Sequence, residues 1–77
     1  MSQKLPVVTG REVLQALKRA GFYTARSSGS HHILKHPDRP GLRPVVPVHG
    51  KRTLPPKTLR SILHQADLSL EQLRELL

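Results

Sequence analysis

Gly29-Ser30-His31-His32-Ile33-Leu34-Lys35-His36 is the stretch on which the reading of this chain turns. A glycine-serine turn leads into an apolar, β-prone run without proline, so its amides can bond along both edges. That describes the central strand of a sheet, over about Ser30 to His36. Successive strand residues face opposite ways, which sets His31, Ile33 and Lys35 against His32, Leu34 and His36. An unpaired lysine is rarely buried, so Lys35 assigns its own set, His31 included, to an open face. His32 then falls at the interface between sheet and helices.

Outward from this strand, Phe22 to Arg26 is aromatic and β-branched enough for a first strand, with Ser27-Ser28-Gly29 as the tight connection of a hairpin. On the other side Pro37-Asp38-Arg39-Pro40-Gly41 breaks the run. A third strand over Leu42 to Val48 carries Pro44 and Pro47, which confine it to an edge. Thr9 and Glu12 have the spacing of a capping box, and Val13, Leu14, Leu17 and Ala20 share one face of a helix from Gly10 to Ala20 that Gly21 terminates. Leu59, Ile62, Leu63 and Ala66 stripe a second helix from Pro56 to Gln65, with proline in its first turn and Asp67 as its stop. Ser69 with Gln72 caps a short terminal helix bearing Leu70, Leu73, Leu76 and Leu77. The sum is an α+β fold of order α-β-β-β-α: a three-stranded antiparallel sheet with two helices on one face and a short extra C-terminal helix. The other face of the sheet stays open.

The 77 residues are expected to form a single domain over positions 1–77, in which roughly 60% of the unfolded chain's surface can be buried. There is no cysteine, which removes disulfides and thiolate metal sites and fits a reducing compartment. No apolar run approaches the roughly 20 residues of a membrane span, and Met1 to Pro6 has no signal-peptide core. A soluble, cytoplasmic protein with no membrane contact is expected. Thirteen Lys and Arg against five Asp and Glu give a formal charge of +8, which in so short a chain calls for a polyanionic or acidic partner. Between Lys4 and Arg60 only Glu12 and Asp38 are acidic, so the body of the chain carries the positive field.

An imidazole exchanges a proton near neutral pH, and cations beside it can take up charge on a phosphate. Together these are what cleavage of an RNA phosphodiester needs without a metal: a base for the ribose 2′-hydroxyl and positive charge for the transition state. His31 is the candidate base. Gly29 and Ser30 form a turn whose amides can approach a phosphate, with Arg26 and Lys35 close by. Lys51, Arg52 and Lys57 cluster where the second helix begins, where the helix dipole also favours anions. No metal or other cofactor is expected, because His32 and His36, the two histidines that share a face, stand roughly 13 Å apart along a strand. His49 and His64 read as ordinary loop and helix-surface residues, with His49 an outside candidate for a second proton carrier. Phe22 and Tyr23 are the aromatics available to stack on bases, so little sequence discrimination is expected.

The blocks Gly29-Ser30-His31-His32-Ile33-Leu34, His36-Pro37, Val46-Pro47-Val48-His49, and Thr58-Leu59-Arg60-Ser61-Ile62-Leu63 with Ala66-Asp67-Leu68-Ser69 together resemble the HicA family of toxins, also called YcfA-like. The resemblance covers nearly all of the chain after Thr9. It implies a double-stranded-RNA-binding-like fold, metal-independent cleavage of messenger RNA by the histidine after the glycine-serine pair, here His31, and neutralisation by a HicB-type antitoxin that covers the active site. Two positions depart from the family's pattern. A basic residue often precedes the glycine, where this chain has Ser28, so Arg26 supplies the nearby charge. Many relatives have glycine where Asp67 stands. Beside the ribonuclease reading stand a non-catalytic module gripping structured RNA by shape, and a basic face that serves mainly to dock an acidic protein.

Overall fold

The computed structural model describes residues 4–77. In chain order these form α1 (Gly10–Arg19), β1 (Tyr23–Ser28), β2 (His31–Lys35), β3 (Val45–Pro47), α2 (Pro56–Ala66) and α3 (Leu70–Leu76). Two of the three helices start where a side chain satisfies the orphan amides of a first turn. Thr9 Oγ1 accepts from the Glu12 amide at 3.1 Å, and the Thr9 amide donates to Glu12 Oε1 at 2.9 Å. Ser69 and Gln72 repeat the exchange at 3.0 and 2.8 Å. α2 has no side-chain cap and begins instead with proline. Both expected C-terminal stops act: Gly21 turns the chain after α1 at φ 101, and Asp67 takes the left-handed conformation at φ 54. Asp67 does so without being glycine, and its carboxylate forms an ion pair with Arg39.

The three strands pair antiparallel in the order β1-β2-β3. β1 lies later than the expected Phe22 to Arg26, because Phe22 leaves the strand for the core. Its side chain is 5% exposed and its ring meets His36 edge-on, with centroids 5.0 Å apart. The hairpin turn is also displaced. Ser28 pairs with His31, so Gly29-Ser30 alone makes the connection, with φ 58 at Gly29, the first central position, where a two-residue hairpin favours glycine. Between Thr24 and Arg26 the register shifts by a bulge.

β3 is shorter than the expected Leu42 to Val48 but sits on the edge as its prolines require. Leu34 N donates to Pro44 O at 3.0 Å and Val48 N to Ser30 O at 2.7 Å, so the pairing with β2 reaches beyond both ends of β3. The Val45 amide points the other way and donates to Gln65 Oε1 of α2 at 3.1 Å. The Pro47 nitrogen faces that same outer side, so the missing N–H removes no bond to β2.

Leu34 of β2 and Val46 of β3 have no exposed surface and join Val13, Ala16 and Leu17 of α1, Leu59 and Ile62 of α2, and Leu73 of α3 in one core. The helices therefore cover the Leu34 face of the sheet, and the expected parity of β2 holds: His32 and His36 are half-buried and His31 is exposed. β1 is exposed along its whole length. His36 is a structural histidine. Its Nδ1 accepts from the Asp38 amide at 3.1 Å, which leaves Nε2 to donate to Ala20 O at 3.2 Å.

At the first residue of α1 a side chain has no room. A Cβ on Gly10 would lie 2.0 Å from Pro47 O, backbone against backbone. Gly10→Ala is expected to lower stability in urea unfolding by about 2 kcal/mol or more, whereas Gly41→Ala, which meets nothing within 4 Å, should change it by less than about 0.5 kcal/mol. At Asp67 both Gly and Ala lose the pair with Arg39, but only Gly relieves the left-handed backbone. Asp67→Gly is expected to be about 1 kcal/mol more stable than Asp67→Ala in the same measurement.

Candidate functional site

The open face of the sheet is assembled by register. On β2 it carries His31, Ile33 and Lys35; opposite them on β1 stand Ser28, Arg26 and Tyr23, and on β3 Pro47 and Val45 face His31 and Ile33. Arg26 reaches this face only because of the bulge. In an unbroken strand, Tyr23 and Arg26, three residues apart, would point to opposite sides. One extra residue at Ala25 puts both on the side of His31, the kind of re-aiming that bulges perform. The kink sets Arg26 one pair along from Ser28, which lies directly across from His31.

The loop after β3 comes back beside the turn. His49 follows Pro47 by two residues, so it continues the same face past the end of the strand, and its ring lies 6.4 Å from that of His31 between centroids, at 86°. Ser30 Oγ lies 3.4 Å from His49 Nε2. The placement is held by backbone bonds on both sides: Val48 N to Ser30 O at 2.7 Å, Arg52 N to His49 O at 3.0 Å across a tight turn with Gly50 at φ 58, and Leu54 N to Val8 O at 2.8 Å. His49 is the loop residue that the sequence predicts, exposed, and the structure adds that it stands beside His31. Which residue of the third strand faces His31 is a matter of register, and local composition does not reveal it. Parity along Val45, Pro47 and His49 gives the answer once Pro47 is known to pair with His31.

Beyond His49 lies a cleft of about 380 Å³ lined by Pro47, His49, Arg52, Thr53, Pro55 and Thr58, among others. Of the cations expected near the start of α2, Arg52 lines this cleft and Lys51 stands beside it in the turn. Lys57 is exposed on the first turn of α2 and is not part of the cleft wall. Gly29 has open space where a Cβ would be, so the turn backbone can be approached closely. His64 is exposed on α2 as expected. Of the two aromatics expected to be available to bases, Phe22 is buried and only Tyr23, at 48% exposure, lies on the open face.

Among the described residues, no carboxylate occupies a register position on this face. Among the described residues the one ion pair is Arg39–Asp67, which leaves Arg26, Lys35, Lys51 and Arg52 without an acidic partner. Also among the described residues, no three His, Asp or Glu side chains converge on a common point, and no helix is long and apolar enough to cross a membrane. What the arrangement offers is two exposed imidazoles beside an accessible turn, with Arg26 and Lys35 farther along the sheet face and Lys51 and Arg52 in the loop after His49.

A comparison with curated proteins found no match. The family model described as HicA toxin of bacterial toxin-antitoxin matches residues 10–68, from the first residue of α1 to just past α2, and so spans the whole sheet and the histidine pair. The chain therefore belongs to the HicA toxin family of bacterial toxin–antitoxin systems, in which an antitoxin is its partner.

Proposed function

We propose that this toxin is an endoribonuclease that cuts messenger RNA without a metal, that His31 takes the proton from the ribose 2′-hydroxyl, and that a HicB-type antitoxin silences it by covering His31. The observation that carries this reading is the exposure of His31 on a sheet face that, among the described residues, holds Arg26 and Lys35 and no carboxylate. An imidazole so placed meets solvent and substrate alike. Arg26 and Lys35 lie farther along the same face to receive phosphates, and the Gly29-Ser30 turn presents its backbone at the end of the strand. Lys51 and Arg52 extend the positive surface past His49, and Lys57 continues it onto α2. A partner that occludes this face blocks RNA by occupying its place, so inhibition is steric.

The test uses the purified wild type and His31→Ala, matched for folding by circular dichroism and urea midpoint, incubated with messenger RNA. Cleavage should fall by about 10²-fold or more in the variant, the usual scale of general acid–base help. Equal cleavage by the two proteins would remove His31 from the mechanism. A chelator added to the wild type should leave the rate unchanged. Salt-sensitive binding without any cut product would favour the non-catalytic RNA-binding module instead. Arg26→Ala is expected to weaken RNA binding by a similar factor for unrelated sequences. It should also flatten the dependence of log K on log salt by about 0.7, the share of one phosphate contact on a single strand.

A further inference from the structure

In-line displacement at phosphorus places the attacking 2′-oxygen and the departing 5′-oxygen on opposite sides of the phosphate. A single imidazole lying against the first oxygen does not reach the second in the same step. The surface around His31 holds a second imidazole, and its position is built rather than incidental. His49 is carried past the end of β3 by the strand pairing, oriented by Ser30 Oγ at 3.4 Å, and pinned by the turn its own carbonyl closes with Arg52. Its ring centroid is 6.4 Å from that of His31, and the two planes stand at 86°. This is too far for the rings to bond to each other. It is close enough for one phosphate to touch both, through hydrogen bonds of about 2.6–3.2 Å at each end.

We infer that His49 is the general acid of the cleavage step, protonating the 5′-oxygen of the leaving nucleoside while His31 acts as base, with Ser30 as the positioning residue that orients it. This rests on the ribonuclease reading above and adds the proton donor to it. His31 accepts the 2′-hydroxyl proton, the 2′-oxygen bonds to phosphorus, the P–O5′ bond breaks, and the 5′-oxygen takes a proton from the His49 imidazolium. The products are a 2′,3′-cyclic phosphate and a 5′-hydroxyl end, and proton exchange with water resets both rings. The placement also orients the substrate. The nucleotide 5′ to the cut lies over the open sheet face with Arg26 and Lys35, and the one 3′ to it enters the cleft of about 380 Å³ walled by His49, Arg52 and Thr58.

The decisive probe is an RNA carrying one bridging sulfur in place of the 5′-oxygen at a site the wild type cuts, because a thiolate leaves without needing a proton. His49 is exposed, so His49→Gln is expected to keep the wild-type urea midpoint. On all-oxygen RNA, His49→Gln and His31→Gln should each lose about 10²-fold or more. On the sulfur-bridged RNA, His49→Gln should return to within a few-fold of wild type, while His31→Gln stays depressed. An equal deficit of His49→Gln on both substrates would overturn the acid assignment, as would wild-type cleavage of all-oxygen RNA by His49→Gln; either leaves the nuclease reading standing. A wild type that cuts neither RNA brings down both. Ser30→Ala gives a further check: a loss on all-oxygen RNA that the bridging sulfur abolishes supports its role in orienting the acid, and a loss that persists opposes it.

Discussion

The burial of Leu34 is the constraint that everything else in this molecule follows. Its side chain has no exposed surface, and removing a leucine from water contributes on the order of 2 kcal/mol, a large fraction of what a small domain can spare. Because strand side chains alternate, seating Leu34 against α1 and α2 turns His31, Ile33 and Lys35 the other way. A slip of one residue would bury His31 and Lys35 and expose the leucine. The sheet's open face is therefore specified from beneath, by packing.

That control extends to the neighbouring strand. Val46 is buried beside Leu34 and pairs with His32, so the two strands are locked together by the same core that sets their parity. Gly10 presses the start of α1 onto Pro47 with no side chain between them, and Pro47 is the residue opposite His31. The helix, the edge strand and the imidazole are thus stacked in series.

What the sequence makes legible is local. Both capping boxes, the proline-opened second helix, the glycine after α1 and the parity of β2 all depend on residues within a few positions of one another, where side-chain chemistry and backbone sterics decide the outcome. Asp67 ends α2 as its position suggested, and the structure supplies what the sequence lacked: Arg39, distant along the chain, is its partner. The features that escape are those set at a distance. The bulge at Ala25 has no glycine to announce it, the departure of Phe22 into the core answers to His36, and the approach of His49 to His31 depends on how a short, proline-bearing strand registers against its neighbour. Of the cations read as one basic cluster, Arg52 and Lys57 separate once α2 is built, because only the former turns toward the cleft.

The kink in β1 also bears on the free border of the sheet. On the outer rim of β3 the Val45 amide is taken by the Gln65 side chain, and among the described residues β1 forms the other border of the sheet, exposed along its length. A straight border of six residues would offer a second molecule an uninterrupted row of amides and carbonyls to zip onto. The irregularity beside Arg26 breaks that row, and the guanidinium sets like charge against like when two copies approach. In a chain with a formal charge of +8, the irregularity that aims Arg26 thus also opposes edge-to-edge pairing of two copies.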